Sequence, residues 1–255
     1  MHWLVLKIRK RTLFLLFITF LCVVALCGSF PQYIRTATTE RRLPVYSVET
    51  TEKLVSLGIN CAWGDEDIPQ LLALLQENDV RASFFVTGTF CRKFPDAVAE
   101  IAAAGHEIGS HSNNHVDLTT LDIEKIREEI RLGNAEIATI TGKAPTLFRP
   151  PSGAYNNLVI AAIEDEGMIP IHWTCDSIDY KNPTTAQMQS RIMKRLCPGA
   201  ILLFHAGAKN TPAALPEIIT AIKAEGYSFV ATGKLIYPPP YTLNHEGRQK
   251  GNSNL

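Results

Sequence analysis

From Lys53 onward, short apolar runs alternate with longer stretches in which apolar residues recur every three or four positions. The runs at 54–60, 82–88, 107–112, 147–151, 169–176, 200–206 and 227–232 predict strands. Between them, 68–78, 96–104, 123–141, 158–166, 186–196 and 215–225 carry helical periodicity. Asp122 is placed to cap the helix that begins at Ile123, and Gly105, Gly142, Gly167 and Gly226 fall where helix ends favour glycine. Repeated βα units of this length predict an α/β fold of parallel strands covered by helices, either open and doubly wound or closed as a barrel. Residues 31–52 keep no sustained period and read as a linker to a domain over 53–237. The stretch 238–255 opens with three prolines and continues with Asn, Gly, Lys and Ser, and it reads as a disordered tail.

The N-terminus breaks this rhythm. Lys7, Arg9, Lys10 and Arg11 make residues 1–11 basic, and no charged residue follows from Thr12 to Ser29. A basic flank before an apolar run allows a cleaved signal peptide or an uncleaved signal anchor. The segment Ala25-Leu26-Cys27-Gly28-Ser29 is not a clean small-x-small cleavage site, which favours a transmembrane anchor over 12–30. Residues 1–11 are then expected in the cytoplasm and the domain outside the cell membrane, or secreted if the signal is cleaved.

Composition narrows the function. The 255 residues include 46% hydrophobic residues and equal numbers of Lys+Arg and Asp+Glu, 25 each. General disorder is excluded, and without a basic excess nucleic acid is not expected as a partner. Setting aside the four basic N-terminal residues leaves the body mildly acidic. Cys61, Cys91, Cys175 and Cys197 are far apart, with no C-x-x-C pair, and do not form a disulfide framework.

In parallel α/β folds the chemistry collects at the C-terminal ends of the strands. His111 and His115 follow the third expected strand and Arg149 ends the fourth. Asp176 and Asp179 follow the fifth, His205 ends the sixth, and Asn60 to Asp67 follow the first. The stretch from Ala82 to Gly88, together with Gly105 through His111 to His115, resembles the polysaccharide deacetylases of carbohydrate esterase family 4, the NodB homology domain. The likeness continues through Phe148-Arg149-Pro150-Pro151-Ser152, Trp173 to Tyr180, and Leu202 to His205. It covers about residues 53–236, and the wording around Ala62-Trp63-Gly64 and after His205 looks most like the sporulation-associated branch.

The resemblance implies a distorted (β/α)7-type barrel, which selects the closed option. It also implies a divalent metal, usually Zn2+, held by His111, His115 and a third ligand. Arg149 matches the arginine that steadies the catalytic base, and the backbone N–H of Ser152 sits where the oxyanion donor lies. Asp179 matches the carboxylate that orients a histidine, here His205, which protonates the leaving amine. Trp173 and Leu203 would line an acetyl pocket. Family members usually carry Tyr at the position of Ser152, and Tyr155 could compensate.

The first motif departs from the family. Where it reads Thr-Phe-Asp-Asp-Gly, this chain has Gly58-Ile59-Asn60-Cys61-Ala62. Asn60 stands at the position of the base, and an amide is not a base. Asp65, Glu66 or Asp67 could swing in as ligand or base, or Cys61 could bind zinc as a thiolate beside the two His. The leading expectation is a membrane-anchored, metal-dependent deacetylase that hydrolyses N-acetyl groups of peptidoglycan or a chitin-like glycan. Its rival is a catalytically silent glycan-binding homologue.

Overall fold

The computed structural model describes residues 11, 17–20 and 41–251. The chain divides into two compact units, 1–40 and 41–255. In the first unit residues 11 and 17–20 are helical. The anchor expected over 12–30 falls mostly outside the described residues, and the cytoplasmic segment 1–11 does so except for Arg11. Among the described residues no helix is long and apolar enough to cross a membrane.

The second unit contains β1 (Ser47–Val48), β2 (Leu54–Cys61), α1 (Ile68–Glu77), β3 (Ser83–Val86), α2 (Gly88–Lys93) and α3 (Pro95–Ala103). Then come β4 (Glu107–Ser110), α4 (Ile123–Thr141), β5 (Leu147–Phe148), α5 (Asn157–Asp165), β6 (Ile169–Pro170) and β7 (Cys175–Asp176). The chain continues with α6 (Thr185–Arg195), β8 (Ala200–His205), α7 (Thr211–Ala224), β9 (Ser228–Phe229) and α8 (Thr232–Leu235), and ends in β10 (Tyr241–Leu243) and β11 (Arg248–Gly251). Asp122 caps α4 as its position suggests, its Oδ1 accepting from the Lys125 N–H at 3.0 Å.

Strands β8, β2, β3, β4, β5 and β6 pair side by side and parallel, and β7 pairs parallel with β8. β6 and β7 do not pair with each other, so the barrel has a seam. The segment around β1 bridges it. The Val45 N–H donates to the Pro170 carbonyl at 2.8 Å, His172 N–H donates to the Val45 carbonyl at 2.7 Å, and Ser47 lies antiparallel to Ala200. The result is a distorted, incompletely paired α/β barrel.

Two boundaries differ from expectation. Val45 and Val48 are buried, so the end of the expected linker is part of the barrel wall. Four residues are too few to establish a period, and their pairing is with distant strands. The expected tail is also structured as far as Gly251: β10 and β11 form an antiparallel hairpin, and β11 runs parallel to β1. Gln249 is fully buried and exchanges two hydrogen bonds with the Tyr237 backbone, at 2.8 and 2.9 Å. Composition suggested disorder there, whereas the backbone pairing supplied by β1 orders it. Residues 252–255 lie outside the described residues.

The alternation of β2 positions the chemistry. Val55, Leu57, Ile59 and Cys61 point into the core beneath the helices, where they meet residues such as Ile68, Leu71 and Phe204. Gly58 and Asn60 face the barrel interior. A Cβ on Gly58 would lie 2.5 Å from Nη2 of Arg149, so the absent side chain is the space the guanidinium occupies. A second cluster, including Val45, Phe85, Leu147, Ile171 and Ile201, fills the interior toward the seam. Burial of each such large side chain contributes about 1.5–3 kcal/mol.

Candidate active site

The C-terminal strand ends converge on a cavity of about 270 Å³. Of the residues expected at the site, Asn60, His115, Ser152, Trp173, Leu203 and His205 line it. Trp63, Asp176 and Tyr180 line it too, and the sequence reading gave them no role. Trp63 lies nearly parallel to the His205 ring, with centroids 5.1 Å apart at 18°, and Tyr180 meets that ring edge-on at 5.5 Å. With Trp173 these rings give the cavity aromatic walls, a surface suited to the apolar face of a sugar.

His205 ends β8 and is tightly oriented. Its Nδ1–H donates to Oδ1 of Asp179 at 2.7 Å, and its backbone N–H donates to Oδ2 at 2.7 Å. The Thr211 hydroxyl and the Tyr180 N–H add bonds to the same carboxylate, at 2.8 and 3.0 Å. Asp179 is fully buried, so four donors compensate its charge. The turn that carries it holds Ile178 at φ 53°, a conformation a β-branched residue rarely adopts. The pairing leaves Nε2 as the free nitrogen of a ring that lines the cavity. Asp179 therefore fixes the His205 ring in orientation and tautomer.

His111 follows β4 and is buried. Its Nδ1–H donates to the Arg149 carbonyl at 2.6 Å, while Nε2 is buried with no partner among the described residues. The His115 ring stands edge-on at 4.8 Å. Desolvation pushes both imidazoles below their ordinary pKa, His111 far below, so both are neutral donors at pH 7. Glu129 on α4 holds the intervening loop by accepting the N–H groups of Asn113 and Asn114 at 3.2 and 2.9 Å. Gly133 makes the approach possible, since a Cβ there would sit 2.7 Å from the Ser112 carbonyl oxygen.

An orphaned Nε2 backed by a carbonyl is what a metal-ligating histidine looks like. A catalytic zinc needs three protein ligands, however. Among the described residues no three His, Cys, Asp or Glu are grouped to hold a metal. Cys61 is buried in the helix-side core, and desolvation raises its thiol pKa well above the ordinary value, so no thiolate is offered. Asp65 and Glu66 do not line the cavity either. The Asp65 carbonyl accepts the Ile68 N–H at the start of α1, and Glu66 is exposed. Asp67 is the loop carboxylate tied toward the site, its Oδ2 accepting from the Gly207 N–H at 2.9 Å. Among the described residues the donors grouped here fall one short of a catalytic metal site, because the period of β2 turns Cys61 away, Asp65 and Glu66 do not reach the cavity, and Asp67 gives one of its oxygens to Gly207.

Arg149 leaves β5 fully buried, its guanidinium 3.9 Å over the Phe85 ring. Nη1 donates to Oδ1 of Asn60 at 3.0 Å, Nη2 reaches the His172 carbonyl at 3.4 Å, and Nε has no partner among the described residues. Burial without a carboxylate alongside lowers its pKa to about 9, which still leaves the cation at pH 7. The polar centre of the barrel is thus a charged group facing an amide.

Ser152 lines the cavity from a tight turn at φ 54°, and the strain coincides with the expected oxyanion position. Tyr155 does not line the cavity. Its hydroxyl pairs with the Tyr46 hydroxyl at 3.0 Å and accepts from Nη2 of Arg41 at 3.2 Å, while its ring meets His172 edge-on, so it does not replace the missing aromatic at Ser152.

The polysaccharide deacetylase family pattern matches residues 47–171. Peptidoglycan-N-acetylmuramic acid deacetylase PdaA of Bacillus subtilis is 31% identical over 196 residues, covering 75% of this chain and 74% of PdaA. YlxY of the same organism is 34% identical over 193 residues, which are 76% of this chain and 60% of YlxY. Among solved structures, BA3943 of Bacillus anthracis, described as a CE4 family pseudoenzyme, superposes with a TM-score of 0.73 at 35% identity over 76% of this chain and 68% of its own. A BA3943 mutant described as having restored enzymatic activity gives the same TM-score and identity over 71% of its length. The distorted barrel agrees with these likenesses, and the chain belongs to the polysaccharide deacetylase family.

Proposed function

We propose that the domain binds N-acetylated cell-wall glycan, with the N-acetyl group in the cavity, and does not hydrolyse it. Trp63, Tyr180 and Trp173 stack on the sugar, Leu203 meets the acetyl methyl, and the Ser152 backbone faces the carbonyl oxygen. His205, fixed by Asp179, presents Nε2 to the amide nitrogen. What is missing is a group to activate water. Asn60 holds the position of the base and cannot take a proton, and the described residues bring two metal donors together rather than three.

The observation that carries this reading is the Asn60–Arg149 hydrogen bond, an amide where the barrel interior is built around a cation. Likeness to BA3943, described as a pseudoenzyme, supports it. The names of PdaA and of peptidoglycan-N-acetylglucosamine deacetylase PgdA of Listeria monocytogenes support peptidoglycan as the glycan class. The basic-then-apolar N-terminus supports a domain held outside the cell membrane, which a reporter fused after Leu255 would test. The function itself is tested by measuring glycan binding and acetate release in the same sample with divalent metal supplied. Binding without acetate is expected.

A further inference from the structure

A second opening lies beside the cavity, and Trp173 lines both. It is a groove of about 480 Å³ whose other walls include Tyr46, Arg195, Glu246 and Arg248. Three of these four come from segments the sequence suggests are unstructured: Tyr46 precedes β1, Glu246 sits in the turn of the C-terminal hairpin, and Arg248 opens β11. The wall is rigid. Tyr46, His172 and Trp173 form a stack, with centroids 4.1 and 3.8 Å apart. The hairpin is packed onto it: Tyr46 N–H donates to the Gly247 carbonyl at 2.9 Å, and a Cβ on Gly247 would meet Tyr46 Cδ2 at 2.5 Å.

The groove has a charge bias. It carries two guanidinium groups and one carboxylate. Among the described residues neither Arg195 nor Arg248 forms a salt bridge, and Arg248 gives only a 3.3 Å bond to the Pro198 carbonyl. Guanidinium forks match carboxylates in shape and charge. We propose that this groove seats a carboxylate carried by the sugar, or by its side branch, next to the N-acetyl sugar in the cavity. The domain then prefers acidic N-acetyl glycan to neutral N-acetyl glycan. The inference rests on the glycan reading above and adds to it a second subsite, built by β1 and the hairpin.

The test titrates the full chain with two probes, neutral chitotetraose and a tetrasaccharide alternating N-acetylglucosamine with N-acetylmuramic acid. Wild type is expected to bind the acidic probe more tightly, and the preference should shrink as salt screens the groove. Arg195→Gln with Arg248→Gln should weaken the acidic probe roughly five- to tenfold, as expected for two partly exposed ion pairs, and leave the neutral one unchanged. Glu246→Gln, an exposed change that does not threaten the fold, should strengthen the acidic probe alone. Equal binding of the two probes, or arginine variants that weaken both alike or neither, would overturn the subsite while the glycan reading stands. If neither probe binds wild type, the glycan reading fails and this subsite fails with it.

Discussion

The Arg149 guanidinium, fully buried in the barrel, donates to Oδ1 of Asn60 at 3.0 Å. An amide oxygen satisfies one donor but does not neutralise a cation, and Nε is left without a partner among the described residues. A buried charge in that state is costly. The site keeps the geometry of an ion pair without its anion.

Asn60→Asp should therefore stabilise the fold, because it changes one group at nearly constant shape and supplies the anion. At neutral pH the expected gain is on the order of 1–3 kcal/mol. Urea unfolding measures it, and the gain should disappear in acid as the new carboxylate protonates. An unchanged or lower midpoint would mean that the guanidinium is already compensated.

Gly58→Ala should be destabilising even though alanine suits a strand better than glycine. Its Cβ would fall 2.5 and 2.7 Å from Nη2 and Nη1 of Arg149, a side chain that is fully buried. Overpacking of this kind costs about 1–3 kcal/mol. A Gly58→Ala protein as stable as wild type would show that the guanidinium has another place to go.

Gly133→Ala tests how the histidine loop is held. The added methyl group would press on the Ser112 carbonyl and the Asn113 nitrogen, at 2.7 and 3.1 Å. The imidazole NMR signals of His111 and His115 should shift, while those of His106, at the opposite end of β4, stay in place. Unmoved signals would mean that Glu129 alone positions the loop.

Stability should fall with pH on the acid side of neutrality. Burial lowers His106 and His172 from 6.5 to about 4, so the unfolded chain takes up protons first as the pH drops. The contribution is fully present above 6.5 and is lost progressively as the pH falls to about 4. Asp67 and Glu164, which burial raises, act in the opposite sense. His172→Gln should flatten the dependence of the urea midpoint over this window. A wild-type midpoint that holds constant across the window would contradict it.

Much of the site was legible because strand ends are legible. His111, Arg149, Asp179 and His205 each follow an apolar run, and the barrel brings those ends together. The orientation of Cys61 was also within reach, since strict alternation puts it on the face of Leu57 and Ile59, away from Asn60. What the sequence hid depends on distant partners. Tyr155 has the right residue type, yet its hydroxyl goes to Tyr46, more than 100 positions away. Trp63 and Tyr180 become cavity walls only because His205 stands between them. The hairpin after Tyr237 owes its order to β1, which no local pattern announces.

The most direct measurement incubates the full chain with N-acetylated peptidoglycan and divalent metal, quantifying bound glycan and free acetate in the same samples. Bound glycan with acetate at the level of the protein-free blank is the predicted result. Acetate that rises in proportion to protein would contradict it, and would mean that His205, Asp179 and the two neutral imidazoles suffice for hydrolysis without a carboxylate at position 60.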